Sequence, residues 1–226
     1  MNPTDMEGRD GLSSWSWDID ALVGNLGDSF KIMECGMKAF PTEALTHTHL
    51  SCLLNAMISN DLNYTDIKEV KVTCFAQAYD ILFDPTKYRP ESRETADHSL
   101  PYCLAAAMVD KKITTESFSD EKLQDPRIYE VIDKIKGEPS QEFEKMFPAK
   151  QPSKVVVTTN DGQEFSEYLE YPKGDPREPM TMDDLENKFN SLAGDKFDSN
   201  AKSQLKDHIF DSENMSTSEF MQNLNV

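Results

Sequence analysis

Apolar and polar positions follow two periods along this chain. Between Pro41 and Ser59, Leu45, Cys52, Leu53, Ala56 and Met57 recur at helical spacing, which predicts an amphipathic helix with Pro41 in its first turn. The opposite row, Glu43, His47, Ser51 and Asn55, is polar at steps of four. Residues 70–76 change period: Val70, Val72, Cys74 and Ala76 alternate with Lys71, Thr73 and Phe75, as in a half-buried strand. Residues 80–98 keep no period and include Pro85 and Pro90, so they predict a long irregular loop, where binding residues tend to collect. From Ser99 the chain can start a helix, with Pro101 in the first turn. The body of that helix, YCLAAAMV, has no polar face and predicts burial on all sides. Lys111 and Lys112 follow at its C-terminal end, where the helix dipole favours cations.

Asp125 can cap a helix over 126–136, whose Ile128, Val131, Ile132 and Ile135 form one stripe, with Gly137 as its stop. KVVVTTNDGQEFSEYLEY reads as an antiparallel hairpin turning at Asn160-Asp161-Gly162. Beyond the Pro-rich GDPREP, Thr181 with Asp184 resembles a capping box for a helix from Met182 to Ala193, closed by Gly194. Shorter helices are predicted at Ala201–Phe210 and Ser218–Leu224. Residues 1–30 are polar and punctuated by glycine, with one short helical candidate at Asp18–Leu26. Few strands, separated by helices, place the chain in the α+β class, with a small antiparallel sheet and packed helices. Three segments follow from this: a polar lead-in over 1–30, an α+β domain over 31–175, and a helical segment over 176–226.

Charge narrows the possible partners. With 41 acidic against 23 basic residues, the net charge of -18 repels phosphates at long range, which argues against nucleic acid and anionic membrane surfaces. It would also repel a polycarboxylate, unless a local cluster of cations or helix N-termini outweighs the global field. No stretch approaches the ~20 apolar residues of a membrane span. The N-terminus lacks the basic and apolar regions of a signal peptide, and a soluble cytoplasmic protein is expected. Cys35, Cys52, Cys74 and Cys103 show no C-x-x-C pair, which disfavours a zinc or iron–sulfur site and suits core thiols. Residues 195–207 are rich in carboxylates but lack the glycine and terminal glutamate of a calcium loop. No metal and no cofactor is expected, and no G-x-S-x-G, Walker or G-x-G-x-x-G motif is present.

Two stretches crowd groups capable of chemistry. RETADHSLPYCLAAAMV, residues 93–109, carries Arg93, Glu94, Asp97 and His98 just before the apolar helix. Ser99 and Asp97 could serve only as caps, with Arg93 paired to Glu94 or Asp97 and His98 structural. Alternatively, the helix N-terminus, Arg93 and His98 converge on a ligand carboxylate. In MKAFPTEALTHTH, Lys38 precedes Pro41, and Glu43 and His47 share a helical face, so a cation and two proton-transfer groups could meet at one helix entrance. An ordinary solvated helix face would show the same row.

Three stretches in order, KAFPTEALTH, RETADHSLPY and GDPREPMTMDDLENKF, resemble the 2-methylcitrate dehydratase family, MmgE/PrpD, over about residues 30–193. The resemblance implies a large helical domain followed by an α+β lid domain, with the active site between them. This chain is similar to the C-terminal half only. Residues 31–175 would then be the lid, and 176–226 would pack on a helical half from another polypeptide or a full-length relative. Family members that dehydrate 2-methylcitrate or citrate work without an iron–sulfur cluster. The related cis-aconitate decarboxylases have a Lys-x-Phe-Pro-x-His pattern. Lys38, Phe40 and Pro41 match it, but Glu43 stands where that histidine would be, as in the dehydratases. By resemblance the chain is a hydro-lyase piece acting on a tricarboxylate and forming a homo-oligomer. Lys38, Glu43 and His47 are its candidate catalytic groups, and Arg93, His98, Ser99 and Tyr88 its substrate contacts. A non-catalytic regulatory or binding module and a decarboxylase are the alternatives.

Overall fold

A computed structural model describes Asp20 and residues 23–223. The chain divides into two units, 1–35 and 36–226. In the first, Lys31–Glu34 forms a 3-10 turn with an exposed ion pair of 3.0 Å between its end residues. Of the helix expected over 18–26, Asp20 and Val23 are helical and residues 24–26 form a turn, while 18, 19, 21 and 22 lie outside the described residues. Cys35 is exposed, unlike the other three cysteines, which are buried as expected.

In the second unit a 3-10 turn, Ala44–Thr46, leads into α1 (His47–Ser59). Strand β1 (Ile67–Cys74) follows, then α2 (Ala76–Leu82), α3 (Arg93–Asp97), α4 (Leu100–Asp110), α5 (Asp120–Leu123) and α6 (Pro126–Ile132). Next come β2 (Ile135–Pro139), α7 (Gln141–Met146), β3 (Ser153–Thr159) and β4 (Glu164–Leu169). Helices α8 (Met182–Ala193), α9 (Ser199–Phe210) and α10 (Thr217–Asn223) end the described chain.

The sheet order is β2-β1-β3-β4, with β1 parallel to β2 and the other pairs antiparallel. The class is α+β, but the sheet is mixed. Strand β2 was not predicted, because IKGEP is short and carries a glycine and a proline. Gly137 does not stop a helix; it is the third residue of β2. The Phe83 ring lies so close that a Cβ there would come within 2.7 Å of it, so a close approach explains this glycine.

The first helix begins at His47 rather than Pro41. Glu43 caps the preceding turn by accepting from the Leu45 N–H at 2.6 Å. The Thr42 and Thr46 hydroxyls hydrogen bond at 2.7 Å, and those local bonds hold residues 42–46 out of the α ladder. Residues 80–98 hold more structure than their pattern predicts. Besides α2 and α3 they contain a 3-10 turn, Pro85–Tyr88, started by Asp84, while Ser92 caps α3.

Helix α4 is the centre of the core: every residue from Leu100 to Met108 is buried. It packs on α1 and α6, and α1 lies across β3 and β4. Val155 and Val157 face this core from β3, and Val70 and Val72 from β1, as the period of two requires. Truncating Leu104 should cost about 2–5 kcal/mol. The hairpin turns where expected, with Gly162 at φ +86, a left-handed angle that glycine adopts without strain.

Candidate functional site

One concavity of about 460 Å³ lies between the segment before α1, the end of α4, the loop after β4, and α8. Five lysines line it, Lys38, Lys111, Lys112, Lys173 and Lys188, against one carboxylate, Asp184. Five of the 23 basic residues of a chain with net charge -18 therefore share one cavity. Such a surplus produces a locally positive field that an anion can enter despite the global charge. Phe40, Pro41, Ile113 and Leu192 supply apolar wall.

Four of the five lysines are placed by an identifiable device. Lys38 folds its ammonium onto the Thr42 carbonyl at 2.8 Å. Lys111 ends α4 in a left-handed conformation, φ 52, uncommon for a side-chain-bearing residue and costing about 1 kcal/mol. It reaches the fully exposed carboxylate of Asp61 at 3.6 Å. Lys173 pairs with Asp184 at 2.9 Å. Asp184 also accepts from the Thr181 N–H and hydroxyl. Lys173 first and Thr181 second hold its carboxyl down at about 2. Lys188 donates to the Lys38 carbonyl at 2.8 Å. Among the described residues, Lys38, Lys112 and Lys188 form no ion pair. An ammonium has three donors, so Lys38 and Lys188 retain free ones.

His47 stands behind this wall. Its ring meets that of Phe40 at 5.4 Å, and its Nε2 is buried without a hydrogen-bond partner among the described residues. Burial pushes the imidazole down to about 4; the Thr42 carbonyl opposes this, while the charges of Lys38 and Lys188 add to it. At neutral pH His47 is a neutral base. Glu43 lies beside it in sequence, and its N–H donates to the Asp97 carbonyl at 3.0 Å. That bond joins the two stretches singled out in the sequence.

Of the seven candidates Lys38 alone lines the cavity; Glu43 and His47 do not, and Arg93, His98, Ser99 and Tyr88 lie elsewhere. Ser99 is buried; its hydroxyl donates to the Lys87 carbonyl at 2.5 Å and accepts from the Tyr102 N–H at 3.0 Å. The start of α4 is thus closed by its own cap and offers no open N-terminus to a carboxylate. Tyr88 donates to the Ile135 carbonyl at 3.0 Å, and burial raises its phenol. His98 pairs through Nδ1 with Asp97 at 2.5 Å. Arg93 is exposed and makes no ion pair with Glu94, Asp97 or any other described residue, so the pairing expected for it is not formed.

Four of the five cavity lysines were not read as site residues. Lys111 and Lys112 were visible as a pair closing a buried helix, and Lys173 and Lys188 flank GDPREPMTMDDLEN. Their convergence depends on how the loop after β4 returns to α1, which no local pattern encodes. His49 carries no such sequence signal either. It is fully buried, bonds Ser153 Oγ through Nδ1 at 2.5 Å, and burial takes its imidazole down to about 3.

A family profile described as MmgE/PrpD C-terminal domain matches residues 40–211. The chain is 24% identical over 197 residues to the cis-aconitate decarboxylase of Aspergillus terreus, covering 84% of this chain and 40% of that protein. It is 31% identical over 104 residues to the cis-aconitate decarboxylase of Mus musculus, covering 46% and 21%. To that of Homo sapiens it is 30% identical over 110 residues, covering 46% and 21%. The chain spans about two fifths, or less, of the length of these relatives.

Proposed function

Because the chain belongs to the MmgE/PrpD family, matching its C-terminal domain over residues 40–211, we propose that it is the lid half of a lyase acting on a tricarboxylate. The five-lysine cavity on an acidic chain carries this reading. A tricarboxylate brings about three negative charges, and only a local surplus of cations offsets both its desolvation and the field of the whole chain.

Water elimination from a hydroxy-tricarboxylate such as 2-methylcitrate is the preferred chemistry. A base removes the proton next to a carboxylate, the electron pair moves into that carboxylate as an enediolate, and the hydroxyl leaves with a proton as water. Lys38, with Lys112 in the same cavity, stabilises the developing charge. His47, neutral and close to Lys38, and Glu43 stand outside the cavity lining and help position the substrate-facing segment, while the proton of the leaving hydroxyl comes, like the primary base, from the helical half. Arg93 and His98 lie outside the cavity and take no part in this reading. The primary base comes from the helical half of the lyase, and helices α8 to α10 pack on it, with the lyase working as a homo-oligomer. The glutamate at position 43 supports dehydration. Decarboxylation of cis-aconitate is the second reading, supported by the names of the relatives.

The test is ultraviolet absorbance of the purified chain with 2-methylcitrate and with cis-aconitate, alone and mixed with a helical half from the same cell. Conjugated product appearing from 2-methylcitrate in the mixture is the expected result. Consumption of cis-aconitate instead moves the second reading to the front. No turnover, with both halves folded and associated, leaves a binding module.

A further inference from the structure

Lys38 enters the cavity on a segment with no secondary structure of its own, so something else must fix its place. Three contacts do so. The Met37 N–H donates to the Gly174 carbonyl at 2.8 Å. Gly174 sits at φ +94, and any Cβ there would overlap the Met37 carbonyl oxygen. From the other side the Lys188 ammonium grips the Lys38 carbonyl at 2.8 Å.

The turn that presents Gly174 is itself braced. The Gly174 N–H donates to the Glu178 carbonyl at 2.8 Å. Arg177 forks onto Asp175 with Nε at 2.7 Å and Nη2 at 2.8 Å, and gives Nη1 to the Ala149 carbonyl at 2.7 Å. Its guanidinium lies 4.0 Å over the Tyr171 ring, just beyond β4. The end of the sheet therefore fixes the turn, the turn receives Met37, and α8 closes on Lys38. A rigid support of this kind is what a precisely held charged group requires.

We propose that Lys188 is a positioning residue: it clamps the Lys38 backbone against the Gly174 turn and so sets where the Lys38 ammonium stands in the anion site. The proposal rests on the anion reading of the cavity given above. Lys188 also lines the cavity, so a direct role as one more cation is the rival explanation. The two differ in their coupling to Lys38. Loss of a cation acting alone weakens binding whether or not Lys38 is present; loss of a clamp on the Lys38 backbone no longer matters for affinity once the Lys38 ammonium that it places is gone.

The experiment is a double-mutant cycle read by citrate affinity, with amide exchange at Met37 as a ligand-free readout. Lys188→Met should weaken citrate roughly tenfold, the size of a lost charge-assisted hydrogen bond, and Lys188→Arg should recover most of it. In the Lys38→Met background, Lys188→Met should change affinity by less than about twofold. Amide exchange at Met37 should rise about tenfold in Lys188→Met, as the local clamp opens. Losses that multiply in the double variant, or unchanged exchange at Met37, overturn the proposal. If the wild-type chain binds no citrate, the anion reading fails by itself, and exchange at Met37 still decides whether Lys188 holds Lys38. Thermal melts of each variant separate these effects from loss of fold.

Discussion

The start of α4 and the cavity beside α1 both crowd ionisable groups against a helix, yet the fold treats them oppositely. At α4 most of the polar groups are consumed internally: Ser99 bonds Lys87 and Tyr102, Tyr88 bonds Ile135, and Asp97 bonds His98, while Arg93 is left exposed outside that cavity. At the cavity, five cations face one carboxylate, and three of them lack an ionic partner among the described residues. A crowd of charges marks a site only when one sign is left over in a concavity. Balanced groups at a buried helix entrance mark a cap.

The largest expected effect falls on the cavity side. Lys38→Met should weaken citrate binding roughly 10- to 100-fold, the range for a charge-assisted hydrogen bond, measured by calorimetric titration. An unchanged affinity would remove Lys38 from the site.

Acid should act next, through two histidines of α1. His47 and His49 are neutral in the fold, with imidazoles at about 4 and about 3, against about 6.5 in the unfolded chain. Below pH 6.5 the unfolded chain binds protons that the folded chain does not, so stability falls as the pH drops from 6.5 towards 4. Each tenfold difference in proton affinity is worth about 1.4 kcal/mol, so the two histidines should lower stability by several kcal/mol at pH 4. Urea midpoints at pH 7, 5.5 and 4 check this. Relief of the -18 charge acts the other way over part of that range, so His49→Gln is the control. A midpoint slope equal in that variant and the wild type contradicts the assignment.

Much of this contrast was open to sequence reading, and the part that was not has a physical cause. Helix α4, the hairpin and the capping box at Thr181 were legible because local periodicity and cap chemistry determine them. Lys38 could be picked out because it shares a ten-residue stretch with Glu43 and His47, although of the three only Lys38 lines the cavity. Strand β2 was not, since five residues with a glycine and a proline hold no period, and its parallel pairing with β1 spans more than sixty residues. Lys173 and Lys188 were hidden for a similar reason: Gly174 brings them to Lys38 from far along the chain. The helical turns within 80–98 rest on single caps, Asp84 and Ser92, which are weak signals without tertiary context.

Smaller effects sharpen the other side of the comparison. Ser99→Ala removes a buried cap and leaves the Lys87 carbonyl without its donor, so stability should drop about 1–3 kcal/mol with citrate affinity unchanged. A thermal melt beside a titration reads both, and a loss of affinity without a loss of stability would return the α4 entrance to the site. Arg93→Ala should change neither stability nor affinity measurably, since Arg93 is exposed and makes no ion pair with the described residues. A clear loss of citrate binding in that variant would show that the cavity extends further than its five lysines.

The central claim is that the surplus of lysines, and not the charged entrance of α4, receives an anionic substrate. Amide and side-chain chemical shifts followed during a citrate titration test it most directly. The account predicts saturable shifts gathered at Lys38, Lys111, Lys112, Lys173 and Lys188, with Arg93 and His98 unmoved. Shifts gathered at Arg93, His98 and Ser99, or none at all, would contradict it.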